Sequence, residues 1–242
     1  DEWIESRLEM EKAEKTKGDG GIIDVKFEID ERTFRENINN IHEQIRKGET
    51  YQVNYTFKVT GKTYGSTTGL FKRLRERQHC QYGALICCDG TRILSFSPEL
   101  FLSKKGNKIL AKPMKGTLSS RDYKAEDLRN DQKNRAENVM IVDLLRNDVS
   151  RISELGSVKV PHLFEVESVG EILQMTSSVT SEISHGVTIA DLLRASFPCG
   201  SVTGAPKKAT MRIIDELESS GRGIYCGSLG WFDAVPEGNR YV

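Results

Sequence analysis

Two β-hairpin patterns stand back to back near the middle of the chain, and they constrain the fold more than any other feature. Residues 82–88 (YGALICC) and 91–97 (TRILSFS) flank Asp89-Gly90. Asp-Gly suits a two-residue hairpin because that turn needs positive φ at its central positions. Residues 99–105 (ELFLSKK) and 108–113 (KILAKP) flank Gly106-Asn107 in the same way. Together they predict a substantial antiparallel sheet.

The remaining patterns are mixed. The first twenty residues read as a charged helix running into a Gly-rich turn, and residues 22–29 (IIDVKFEI) as a strand. Phe34, Ile38, Ile41 and Ile45 recur at helical spacing, with Thr33 and Glu36 as a capping box and Gly48 as the stop. Residues 51–60 alternate strictly: Val53, Tyr55, Phe57 and Val59 on one side, Gln52, Asn54, Thr56 and Lys58 on the other. That predicts a half-buried strand. The stretch from Ala125 to about Ser150 lacks Gly and Pro and carries VMIVDLL, which predicts one long buried helix with Asp143 and Arg146 paired inside it. Helices are also expected over 188–196 and over 205–219, the latter with Met211, Ile214 and Leu217 on one face, and a final strand over GIYCGSLGWF. Strands followed by helices and a late strand predict an α+β fold.

Composition excludes several function classes. Lys+Arg and Asp+Glu each number 35 over 242 residues, so the formal net charge is zero and no general nucleic-acid binder is expected. No apolar run is long enough to span a bilayer as a helix, and no secretory signal opens the chain. The five cysteines are odd in number and lack a C-x-x-C spacing, which fits reduced thiols in a cytoplasmic protein. The four histidines form no metal-spaced pair.

Four stretches carry candidate chemistry: Glu99 after Ser97-Pro98; Lys115 in KPMKGT, ahead of a Gly-Thr that can bring backbone N–H groups to an anion; Glu137, leading a helix; and FPCGSVTGAPK at 197–207. The last is not a phosphate loop, since Gly200 and Gly204 are one residue too close and Ala-Pro precedes Lys207. A helix N-terminus after Thr203 is open to an anion, or is simply capped by Thr203 with Pro206 in the first turn. Taken singly, each stretch is more ordinary as a scaffold feature than as a catalytic one.

Taken together, they are similar to the chorismate-utilising enzymes. The resembling motifs are ETYQVNYTFK, SFSPELFL, KPMKGT, NRAENVMIVDLLRNDVSR, FPCGSVTGAPKKATMRIIDELE and RGIYCGSLGWF, in family order. The resemblance implies a four-layer α/β/β/α sandwich of large antiparallel sheets, incomplete at both ends, with residues 1–242 as one chorismate-binding domain and 1–20 leading in. Lys115 and Gln52 match the branch formed by aminodeoxychorismate synthase component I chains. Anthranilate synthases carry Ala at the first position, and isochorismate synthases carry Lys at the second. The implied reaction replaces the chorismate 4-hydroxyl with ammonia, on the route to p-aminobenzoate and folate. It needs Mg²⁺, and a glutamine amidotransferase partner supplies the ammonia.

In that scheme Lys115 is the nucleophile, neutral for part of the time, and Glu99 the general acid, which needs a raised pKa. Glu137 is the Mg²⁺ ligand, and Gln52, Gly116, Thr117, Gln174 and Ser201 line the substrate. Asn134 stands where anthranilate synthases are acidic. Gln174 replaces a common His, so no catalytic His is expected. Gln81-Tyr82-Gly83 replaces a segment that forms a tryptophan pocket in some relatives. The family continues beyond GWF with a substrate-binding Arg, a Gly-rich loop and a second Mg²⁺ ligand. The resemblance therefore implies that residues 1–242 alone are catalytically incompetent.

Overall fold

The computed structural model describes residues 20–78 and 80–231; the expected leading helix lies outside them. The chain forms two compact units. One holds the described residues up to Glu28 together with Lys58–Pro98; the other holds Ile29–Phe57 and the described residues from Glu99 onward.

In the first unit, β1 (Gly21–Phe27) pairs antiparallel with β3 (Val59–Tyr64), with an irregularity between Ile23 and Lys26. Helix α2 (Thr67–Arg77) is capped by Ser66, whose hydroxyl accepts from the Gly69 N–H at 3.1 Å. It packs on the hairpin of β4 (Tyr82–Cys88) and β5 (Thr91–Ser97), with Phe71 stacked on Phe96. The hairpin pairs without a break from Tyr82↔Ser97 to Cys88↔Thr91, and Asp89 and Gly90 both take positive φ as the turn requires.

The second unit contains a five-stranded antiparallel sheet. It comprises β6 (Leu100–Lys105), β7 (Lys108–Lys112), β8 (Met114–Ser119), β9 (Lys159–Val169) and β10 (Ile172–Glu182). β7 and β8 follow one another along the same edge of β10, separated only by Pro113, whose carbonyl accepts from the Ser177 N–H. β9 pairs along the other edge. Ile141, Val142, Leu145 and Val149 lay one helical face against Leu102, Ile109, Ala111 and Val179 of the sheet. Burying side chains of this kind contributes about 1.5–3 kcal/mol each.

Several sequence expectations need correction. The helix from Ala125 is two, α3 (Ala125–Asn130) and α4 (Gln132–Ser150), because Asp131 turns out of helical geometry and its carboxylate caps Asn134 N–H. The Asp143–Arg146 pair forms at 2.8 Å but is exposed, since only one face of α4 is covered. Asp30, not Thr33, caps α1 (Glu31–Arg46). Helix α5 (Ile189–Ser196) is as expected, but α6 (Lys207–Leu217) starts after Pro206, and Thr203 instead donates to the Cys199 carbonyl. Its buried face is Thr210 and Ile213, with Met211 exposed. The final strand is absent through Trp231: Gly223 and Cys226 take positive φ, and tight turns join Arg222 to Tyr225 and Ile224 to Gly227.

Residues 51–60 depart furthest. Only β2 (Gln52–Val53) and the start of β3 are strand; 54–58 belong to no strand. Tyr51 and Asn54 donate to the carbonyls of Ala205 and Thr203, and Thr56 N–H donates to the Glu218 carboxylate at 2.9 Å. A side chain takes the place a neighbouring strand would have filled. The alternation holds only in part: Tyr55 and Phe57 face Phe34 of α1 at 6.1 and 6.0 Å between ring centroids, but Val59 is exposed, and Gln52, Asn54 and Thr56 are half-buried rather than facing solvent.

Candidate active site

A β-bulge builds the centre of the site. Between the pairs Thr117↔Gln174 and Met114↔Thr176, β8 carries two residues, Lys115 and Gly116, against Met175 alone. The extra residue re-aims the side chain beside it. Gly116 has φ +99°, and a Cβ there would lie 3.1 Å from the Asn134 side chain on α4. Glycine therefore permits both the bulge and the close approach of the helix.

Lys115 Nζ donates to the backbone carbonyl of Ser201 at 3.2 Å. Ser201 sits on a one-turn 3-10 helix, Gly200–Val202, and is buried. Its hydroxyl bonds the Glu99 carboxyl and lies 3.2 Å from Cys199 Sγ. Glu99, in the step between β5 and β6, also receives the Met114 N–H and the nearby charge of Lys115. Burial raises its pKa above the ordinary value of 4.5, outweighing the Ser201, Lys115 and Met114 contributions that oppose it. Burial likewise pushes the Cys199 thiol up, with the Glu99 charge adding to the effect.

Gln52 enters by backbone pairing with Ala205 of β11 (Gly204–Ala205). The approach is so close that a Cβ on Gly204 would lie 1.9 Å from the Gln52 carbonyl oxygen. The Gln52 side-chain oxygen is buried and has no hydrogen-bond partner among the described residues. An orphaned buried amide oxygen is ordinarily satisfied by a ligand or an ordered water.

The structure thus brings Glu99, Lys115 and Ser201 together, with Gly116 adjoining and Gln52 on the strand that pairs with the loop carrying Ser201. Gln174 and Thr117 stand opposite each other on β10 and β8, beside the bulge, with Thr117 exposed. Glu137 is half-buried on α4, one turn beyond Asn134. Its carboxylate oxygens are the hard donors that Mg²⁺ prefers. Among the described residues no group of three or more His, Cys, Asp or Glu is arranged to hold a metal ion. The donor type fits, with water and substrate oxygens left to complete the shell.

Two largely covered ion pairs escaped the sequence reading. Lys207 Nζ meets Asp148 at 2.6 Å and the Ser196 carbonyl at 3.3 Å. Burial raises the Asp148 pKa despite that partner. Arg222 meets Glu218 at the end of α6. Glu218 caps the end of α6 and Arg222 lies beyond it, so the pair belongs to no helical face that spacing alone could mark.

The profile of the chorismate binding enzyme family matches residues 2–239, and the chain belongs to that family. It is 41% identical over 204 residues to aminodeoxychorismate synthase component 1 of Klebsiella aerogenes, covering 82% of this chain and 45% of the relative. It is 38% identical to anthranilate synthase component 1 3 of Haloarcula marismortui, covering 85% of this chain and 42% of the relative. Over its full length it matches the crystal structure of anthranilate synthase component I from Streptococcus pneumoniae with a TM-score of 0.84 at 30% identity, covering 57% of that chain. The α+β, anthranilate-synthase-like fold expected from the sequence is therefore present. The chain spans about half the length of the curated relatives it matches. Among the described residues no helix is long and apolar enough to cross a membrane.

Proposed function

We propose that this chain carries the catalytic core of an aminodeoxychorismate synthase component I, in which the 4-hydroxyl of chorismate is replaced by ammonia. The observation that carries the reading is the meeting at Ser201 of an amine and a carboxyl: Lys115 on its carbonyl, Glu99 on its hydroxyl. Raised in pKa, Glu99 is suited to hold a proton and deliver it to the departing hydroxyl.

In the step proposed, the Lys115 nitrogen forms a bond to the ring as the C4–O bond breaks, and the oxygen leaves as water with the proton from Glu99. Ammonia then forms the C4–N bond and expels the Lys115 amine, with the ring double bonds shifting in each displacement. Gln52 offers its buried amide to the substrate, and Gly116, Thr117, Gln174 and Ser201 line the same region. Glu137 would hold Mg²⁺, which when bound supplies positive charge against a substrate carboxylate. A glutamine amidotransferase component supplies the ammonia, and segments equivalent to the remainder of the relatives complete the site.

The full-length protein, given chorismate, Mg²⁺ and ammonium, should yield aminodeoxychorismate. Fluorescent anthranilate as the main product would instead assign the chain to the anthranilate branch.

A further inference from the structure

The Arg222 guanidinium binds three separate segments at once. Its Nε and Nη2 fork onto Glu218 at 2.9 and 2.6 Å, Nη1 donates to the Val202 carbonyl at 2.6 Å, and Nη2 donates to the Asn54 carbonyl at 2.6 Å. Glu218 in turn accepts from the Thr56 N–H and hydroxyl at 2.9 and 3.1 Å. Side-chain exposure is 14% for Arg222 and 6% for Glu218. Val202 follows Ser201, and Asn54 lies two residues beyond Gln52. These segments touch directly through Asn54 N–H to the Thr203 carbonyl and Asn54 Nδ2 to the Val202 carbonyl. Arg222 belongs to neither; it reaches both from the turn after α6.

We propose that Arg222, held in place by Glu218, is a positioning residue that fuses the Gln52 segment and the Ser201 loop into one rigid wall of the site. The planar fork matters, because a carboxylate and two carbonyls in three directions match a guanidinium and not the single ammonium of lysine. The burial matters too. A guanidinium with most of its surface covered by these partners loses hydrogen bonds if they separate, so the loop and strand cannot drift apart without stranding the charge in part. The assignment to catalysis rests on the function proposed above; the clamp itself does not.

Cys199 is a built-in reporter, being buried in the same loop 3.2 Å from Ser201 Oγ. The test is iodoacetamide labelling of the folded full-length protein, read peptide by peptide by mass spectrometry, alongside kcat and KM for ammonium-dependent turnover of chorismate. In Arg222→Met the Cys199 peptide should label about tenfold faster, as loosened local structure allows, and kcat should fall by more than KM rises. Arg222→Lys should resemble Arg222→Met. Glu218→Gln, which keeps the shape and an acceptor for Thr56, should shift both readouts in the same direction by less, and it serves if Arg222→Met does not fold. Unchanged Cys199 labelling in Arg222→Met, parental behaviour of Arg222→Lys, or faster labelling with parental kcat would each overturn the proposal. A parent protein that labels slowly at Cys199 but does not turn over chorismate would overturn the functional reading instead, leaving the labelling to decide the clamp.

Discussion

Two runs of the chain read alike and fold differently. Residues 82–97 and residues 51–60 both show strand composition and clear spacing of apolar side chains. The first closes on itself: its turn is local, and it pairs from end to end. The second has no local partner. It pairs with β11 and then donates to the Thr203 carbonyl and to the Glu218 carboxylate, partners more than 140 residues away in the chain. Alternation placed Tyr55 and Phe57 against Phe34, but it left Val59 exposed and Gln52, Asn54 and Thr56 half-buried, because those polar side chains meet protein where a free strand face would meet water. Alternation carries no information about what the backbone meets. The candidate site lies beside the run whose partners come from afar, and is exposed to the failure of any one of them.

The comparison breaks most sharply at Glu218. Glu218→Ala leaves Arg222 without its carboxylate and Thr56 N–H without an acceptor. Removing one partner of a fully buried pair costs about 3–5 kcal/mol; because Arg222 is only partly buried, the loss in the second unit, read by urea unfolding, should fall toward or below the lower end of that range. Gly116→Ala should come next. It forces a side chain into φ +99° and to 3.1 Å from Asn134, strain worth about 1–3 kcal/mol. Because the bulge aims Lys115, turnover should fall even where the variant remains folded.

The hairpin should be more forgiving. Gly90→Ala strains a solvent-exposed turn with open space around it and should cost about 1 kcal/mol, with no change in Lys115 chemistry. Asp143→Ala removes an exposed pair on α4 and should cost less than about 0.5 kcal/mol by the same unfolding measurement.

Acid–base linkage sharpens the comparison from another side. Glu99 has a raised pKa when folded, so the native state holds its proton longer than the unfolded chain does. Its contribution to stability is therefore most favourable below the ordinary value of 4.5 and declines as pH rises through the folded pKa. Glu99→Gln should flatten that decline in a pH series of unfolding midpoints. The same group should impose a loss of kcat on the alkaline side, and Glu99→Gln should bind chorismate yet lose turnover.

Much of the fold was legible because it is local. Asp89-Gly90 sets a turn whatever the rest of the chain does, and Phe34, Ile38 and Ile41 mark one face of a helix by spacing alone. Asp131 is a favoured capping residue, but the run from Ala125 carries neither Gly nor Pro, so nothing in its spacing marked the break that the Asp131 cap makes. Of the site, Glu99 and Lys115 were found through motif resemblance, and their meeting at Ser201 required the fold. The bulge that aims Lys115 depends on register with β10, some sixty residues later in the chain, and no pattern in KPMKGT reveals it. Arg222 and Glu218 were missed because their value lies in two carbonyls and an amide contributed by distant backbone.

The most direct test of the central claim is a mass measurement. Full-length protein should be incubated with chorismate and Mg²⁺ without ammonia, then digested and read for a chorismate-derived addition on the peptide containing Lys115. The addition should appear there in the parent, be reduced in Glu99→Gln, be absent in Lys115→Ala, and disappear from the parent when ammonium is supplied and aminodeoxychorismate forms. Aminodeoxychorismate formation at the parental rate in Lys115→Ala, with no adduct on any peptide of the parent, would contradict the account.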